Sequence, residues 1–230
     1  VTKEVADMVI TDDNFTSIVA AVEEGRGIYE NIRKFVQYLL SCNIAEIMVM
    51  FFSSLLNMPV PLFPIHILWI NIVTDGLPAL ALGVDPADPQ NMEKPPRKPD
   101  EPIINLQNAK IIILQGFFIA LCTLTAFWYV LFVEKADILR ARTMAFFVLA
   151  CSQLFHSFNL RSSTKSIFQI GFTSNMKLVY ANLVSLILEI SVIFIPFLQP
   201  IFKTQTLKGI DLLMAIILSS LPLWGMELIK

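Results

Sequence analysis

Apolar positions in this chain gather into long runs separated by short polar stretches, and the runs set the predicted elements. A hydrocarbon core about 30 Å thick takes about 20 helical residues to cross. Six segments reach or approach that length: 35–56, 63–83, 111–133, 143–160, 178–198 and 212–229. They predict an all-α membrane protein, a six-helix transmembrane bundle occupying residues 28–230. The fourth and sixth runs are the shortest, and Gln153, His156 and Pro222 interrupt them. Residues 57–62, with Pro59 and Pro61, leave room only for a turn, so the first two segments pair antiparallel. Residues 1–27 read differently. A short strand is expected over 6–10, then helix-capping side chains over 11–14 ahead of Phe15, Ile18, Val19 and Val22 at helical spacing. The same spacing continues through Ile28, Ile32 and Phe35, which predicts a stalk running into the first span, with Gly25 and Gly27 as weak points. The opening residues read like the interior of a folded domain, so the chain is expected to be cut from a longer polypeptide.

Composition strengthens the membrane reading. Charged residues make up 16% of the chain and hydrophobic ones 55%, against about 25% charged in soluble domains. A net charge of −2 gives no support to nucleic-acid binding. Cys42, Cys122 and Cys151 each sit inside an apolar run without a CxxC pair, which makes them packing thiols. No secretory signal is visible, because Asp7, Asp12, Asp13, Glu23 and Glu24 interrupt the first 27 residues. Twelve of the 17 Lys and Arg fall in the N-terminal region, the 84–110 and 161–177 loops and the C-terminus. The positive-inside rule then places both termini in the cytoplasm, with a bacterial plasma membrane as the expected location.

Polar groups at membrane depth are the candidate chemistry. Asn43 and Glu46 share one face of the first span, and a carboxylate there costs several kcal/mol unless protonated, paired or hydrated. Counted from Phe35 at about 1.5 Å per residue, Glu46 lies roughly 16 Å into the helix. In the second span Asn71 and Asp75 stack four residues apart with Thr74 beside them. Pro78 cannot donate to the Thr74 carbonyl and Gly76 eases unwinding, so a broken helix with exposed oxygen is expected. Across the short hairpin the two acids approach each other near mid-membrane, and their repulsion calls for a cation or protons. Oxygen donors favour a hard cation such as calcium, although sodium, magnesium, manganese and protons stay open on chemistry alone.

The remaining polar residues divide less sharply. Gln153, His156 and Asn159 form a stripe in the fourth span, and Gln153 either reaches the ion cavity or bonds between helices. Gln115, His66 and Glu189 read as packing or structural hydrogen-bonding groups, with Asn182 and Ser185 on the stripe of Glu189. Trp69 reads as helix packing, and Trp128, Tyr129 and Trp224 as interfacial anchors.

These residues carry a resemblance. Residues 5–15, VADMVITDDNF, and 18–26, IVAAVEEGR, together with the Asn43/Glu46 and Asn71/Thr74/Asp75 sets, resemble the calcium-transporting branch of the P-type ATPases, sarcoplasmic-reticulum-like and bacterial. The resemblance spans essentially the whole chain. It implies that residues 1–27 are the end of a phosphorylation domain and the start of its stalk, and that the six spans are helices five to ten of a ten-helix pump. It implies calcium ligands at Asn43 and Glu46 in helix five, at Asn71, Thr74 and Asp75 in helix six, and at Gln153 in helix eight, where two-site members have a glutamate. Asp75 resembles the aspartate that bridges two ions, and Asn71 favours calcium over the sodium/potassium relatives, which carry an acid there. The 85–99 loop, with Lys94, Arg97 and Lys98, resembles the one that contacts the phosphorylation domain. No catalytic residue is expected here, since the sequence holds no Asp-Lys-Thr-Gly motif or nucleotide domain. ATP and magnesium would bind outside this chain, and its partners would be the lipid bilayer and the pump's N-terminal helices and cytosolic domains. The alternatives are a non-enzymatic membrane module from a truncated or split pump, and an ion-coupled secondary transporter.

Overall fold

The computed structural model describes Val5, Val9 and residues 14–93, 95–96, 102–162 and 164–228. The strand expected over 6–10 lies, apart from Val9, outside the described residues, as do Lys94, Arg97 and Lys98. Among the described residues the fold is helical with no strand, and six helices are long and apolar enough to span a bilayer. The chain is an integral, multi-pass membrane protein.

Helix α1 (Phe15–Leu55) begins where Asn14 Oδ1 accepts from the Thr16 amide at 3.1 Å and continues for 41 residues. At about 1.5 Å per residue that is roughly 60 Å, twice the hydrocarbon thickness, so stalk and first span are one helix. Gly25 and Gly27 are passed without interruption. A Cβ at Gly27 would sit 3.0 Å from that of Ala87, so this glycine lets the loop after the second span lie against the stalk.

A turn with Asn57 in the left-handed region (φ 53°) leads to α2 (Pro64–Trp69). That helix passes through a π-helical turn (Ile70–Thr74) into α3 (Gly76–Leu82), and the three pieces make one span. Helix α4 (Leu106–Trp128) ends in a second π turn (Tyr129–Val133). Next come α5 (Ile138–Asn159), the short α6 (Ile167–Ile170), α7 (Met176–Phe194), the short α8 (Gln199–Phe202) and α9 (Gly209–Glu227). Capped by Asp137, α5 begins at Ile138, five residues before the expected start of that span, while α7 stops at Phe194 just ahead of Pro196.

Helix α5 is the central pillar: 72% of its apolar window is buried, against 33% for α1, α7 and α9. Lipid supplies no hydrophobic drive between helices, so close packing and polar contacts must hold the bundle. Gly116 provides the first. A Cβ there would meet Ile44 Cγ2 at 2.7 Å and the Ser41 carbonyl at 3.0 Å, so α1 and α4 cross with backbones nearly touching.

Ion pairs close both ends. At the stalk end Asp85 accepts from Lys34 Nζ at 2.7 Å, Arg161 Nε at 3.1 Å and Asn175 Nδ2 at 2.7 Å. Asn31 Nδ2 donates to the Asp85 carbonyl at 2.7 Å. At the hairpin end Arg140 grips both oxygens of Asp211 and also pairs with Glu134 at 2.8 Å.

Candidate functional site

The π turn builds the site. Its extra residue shifts the register so that the Asp75 amide reaches back to the Ile70 carbonyl at 2.8 Å, five residues away. The span therefore breaks upstream of Pro78, around Asn71, Thr74 and Asp75, at mid-helix where α1 passes. Single π turns of this kind recur at functional sites.

On α1 the carboxylate of Glu46 is buried and accepts from Asn71 Nδ2 at 2.9 Å; the same amide nitrogen donates to the Ile67 carbonyl. Asp75 is fully buried, accepts from Tyr38 Oη at 3.3 Å, lies against the Cys42 thiol and feels the charge of Glu46. Gln153 is fully buried on α5 and close enough to act on Glu46, yet neither of its amide atoms reaches a partner at hydrogen-bond distance and angle. Among the described residues Glu46 Oε1, Asp75 Oδ2 and Thr74 Oγ1 are also buried without a hydrogen-bond partner. A buried oxygen left unsatisfied costs about 1–3 kcal/mol, more when charged, so four such groups on three adjoining helices are unusual.

Five of the six residues singled out from the sequence thus lie at this junction: Glu46, Asn71, Thr74, Asp75 and Gln153. Asn43 stands apart. It is half-buried and turns its amide onto its own helix, Nδ2 donating to the Leu39 carbonyl at 2.7 Å. Among the described residues no three His, Cys, Asp or Glu side chains gather as a metal-holding group, so the available donors are mixed carboxylate, amide and hydroxyl oxygens. That set suits a hard cation. A 240 Å³ cavity at the stalk end, lined by Lys34, Gln37, Gln115, Asn159 and Arg161, contains none of the six.

Sequence reasoning missed Tyr38 and Cys42 as partners of Asp75. The signal was present, since Tyr38, Cys42 and Glu46 fall at i, i+4 and i+8 on one ridge of α1. Behind them His156 stacks on Tyr38 at 6.3 Å and bonds Ser41 Oγ at 3.0 Å through Nε2. His66, by contrast, is packed away from the site against Phe146, with Nε2 2.6 Å from the Phe202 carbonyl.

Comparison with known proteins gives consistent results. Residues 59–230 match the family described as cation transporting ATPase, C-terminus. The calcium-transporting ATPase 1 of Bacillus cereus is 47% identical over 245 residues, covering 100% of this chain and 28% of that protein. The calcium-transporting ATPase of Bacillus subtilis is 44% identical, covering 96% of this chain and 25% of that protein. The rat calcium-transporting ATPase type 2C member 2 is 40% identical, covering 100% of this chain and 24% of that protein. The chain therefore spans about a quarter of the length of the relatives it matches.

Proposed function

The chain belongs to the C-terminal family of cation-transporting ATPases, homologous to the calcium-transporting P-type pumps, and from that premise we propose that it supplies the membrane ligands for calcium in an ATP-driven calcium pump. Its spans act as helices five to ten, and Glu46, Asn71, Thr74, Asp75 and Gln153 contribute ligand oxygens. Asn43 joins them once its amide turns away from the Leu39 carbonyl. The observation that carries this reading is the convergence of buried oxygens without partners on Glu46, Thr74, Asp75 and Gln153.

The electrostatics set the mechanism. Two carboxylates in a low-dielctric interior repel each other, and a divalent cation between them turns that repulsion into attraction. Calcium is the transported substrate. Changes in the tilt of α1 against the broken helix alter the distance between Glu46 and Asp75, and therefore the affinity, which is what alternating access requires. ATP and magnesium bind in cytosolic domains outside this chain. The stalk half of α1 and the loop beginning at Asp85 transmit phosphorylation to the site, with Lys94 and Arg97 in the contact. Both termini face the cytoplasm, residues 1–27 form the end of the phosphorylation domain and the start of its stalk, and the membrane is the plasma membrane of a bacterium. The pump's N-terminal helices and cytosolic domains are the partners.

The test is calcium uptake by vesicles containing the full-length protein. ATP-dependent accumulation is expected, together with its loss in Asp75→Asn. Accumulation without ATP, or full uptake in Asp75→Asn, rejects the proposal.

A further inference from the structure

A third buried carboxylate lies outside the site. Glu189, in the middle of α7, is fully buried. Its Oε2 accepts from the indole Nε1 of Trp69 at 3.0 Å, and its Oε1 has no hydrogen-bond partner among the described residues. Trp69 is the last residue of α2, immediately ahead of the π turn. One turn earlier on α7, Ser185 Oγ donates to the Val73 carbonyl at 3.1 Å, inside that π turn.

The second contact answers a specific deficit. Pro78 has no N–H, so the donor that the Thr74 carbonyl would meet in an α register, or the Val73 carbonyl in a π register, is missing. Ser185 supplies one from a neighbouring helix, as broken membrane helices require. The first contact fixes the indole, which also packs edge-on against Phe202 at 4.8 Å. Glu189 and Ser185 therefore hold the segment 69–73 at its start and near its end, and Asn71, Thr74 and Asp75 project from that segment or directly follow it.

We propose that Glu189 and Ser185 are positioning residues for the ion site: α7 serves as a splint that holds the π turn in the geometry that aims Asn71, Thr74 and Asp75 at the ion. The inference rests on the calcium-site reading above. An acid fully buried in a membrane helix with a single hydrogen bond is a costly way to secure packing, and an apolar side chain of similar volume would serve stability as well or better. Its acceptor oxygen instead fixes the geometry of Trp69.

The experiment is equilibrium calcium binding to the purified full-length protein, paired with thermal unfolding without calcium and turnover at saturating calcium. Interhelical hydrogen bonds in membranes are modest, so Trp69→Phe and Glu189→Met should each weaken calcium affinity about three- to tenfold. The double variant should be no worse than the weaker single, since both remove one bond. Glu189→Gln keeps an acceptor for the indole and should stay within about twofold of the unmodified protein. In Glu189→Met the unfolding midpoint should not fall and turnover at saturating calcium should persist, which a purely structural role would not give. Unchanged affinity in Trp69→Phe, or an affinity loss in Glu189→Met matched by a lower unfolding midpoint, overturns the inference. Asp75→Asn measured alongside separates the two readings. Full affinity there overturns the ion site and the splint with it, whereas lost affinity there with normal affinity in Trp69→Phe overturns the splint alone.

Discussion

The ends of this bundle and its middle use the same residue types in opposite states. At the stalk end both oxygens of Asp85 are engaged, Oδ2 by Lys34 and Oδ1 by Arg161 and Asn175. At the hairpin end Asp211 is held by Arg140 on both oxygens and by the Lys208 amide at 2.9 Å. At mid-membrane Glu46 and Asp75 each keep one oxygen without a hydrogen-bond partner among the described residues, and neither pairs with a Lys or Arg there. A buried carboxylate that brings its own countercharge is structural. Two that adjoin without one, as Glu46 and Asp75 do and the lone Glu189 does not, leave the countercharge to be supplied by something that arrives.

The largest expected effect breaks this comparison directly. Asp75→Asn removes charge where no protein cation balances it, so calcium affinity of the full-length protein should fall about 100-fold, equivalent to about 3 kcal/mol, while thermal stability holds or rises. Asp85→Asn should do the reverse. It leaves Lys34 and the nearly inaccessible Arg161 facing a neutral amide, which should cost about 3–5 kcal/mol of stability. Calcium affinity of the folded fraction should stay within about threefold. Calcium titration and thermal unfolding on the same two proteins decide it, and parallel losses in both measurements would erase the distinction between ends and middle.

The α1–α4 seam sharpens the comparison, because at Gly116 it holds the helix of Glu46 by close backbone packing. Gly116→Val places methyl groups where a Cβ alone would lie 2.7 Å from Ile44 Cγ2 and 3.1 Å from the Ala45 amide nitrogen. About 1–3 kcal/mol of destabilisation is expected from overpacking. Gly25→Ala, with nothing within 4 Å of its Cβ, should instead stabilise by up to about 1 kcal/mol through helix propensity. Thermal unfolding of both checks the pair.

Gln153 tests whether the middle is short of charge. It lies beside Glu46 but offers a neutral amide, so any ion held mainly by Glu46 and Gln153 meets less Coulomb attraction than the one at Asp75. One calcium per cycle, or two of unequal affinity, is expected. Gln153→Glu should add or strengthen a site by about tenfold. Equilibrium occupancy at neutral pH measures it, and two equally tight ions in the unmodified protein would defeat the expectation.

The six spans were legible because mostly apolar segments of 18 to 23 residues leave few other folds, and the acids were legible because charge at membrane depth is rare. Register was not. A π turn inserts one residue's worth of helix without any change in composition, so Ile70–Thr74 looks in sequence like ordinary helix, and only Gly76 and Pro78 hinted at a break nearby. The start of α5 was hidden for another reason. Arg140 and Arg142 argue against a span until Asp211, 71 residues away, and the Val60 carbonyl are seen to receive them. Glu189 likewise showed a stripe with Asn182 and Ser185 but not its partner, because Trp69 lies 120 residues earlier. Pairings between distant spans leave no local periodicity.

Pro78 gives the smallest effect and the finest test. From sequence alone it was the expected cause of the broken helix, yet the register changes earlier, at the Ile70–Asp75 bond, and regular helical bonding resumes with the Ala79 amide on the Asp75 carbonyl at 3.0 Å. Pro78→Ala restores one N–H, which can meet the Thr74 carbonyl, but it leaves the π turn and the Ser185 contact in place. Pro78 is buried, so the lost ring atoms should cost roughly 1 kcal/mol of stability. Calcium affinity should fall only about twofold, through partial recapture of the Thr74 carbonyl by the helix. A loss of tenfold or more in equilibrium calcium binding would mean that this carbonyl is itself a ligand and that the break depends on the proline. No change at all would mean that the π turn alone shapes the site and Pro78 only fills space, leaving the contrast between paired ends and an open middle to rest on the side chains.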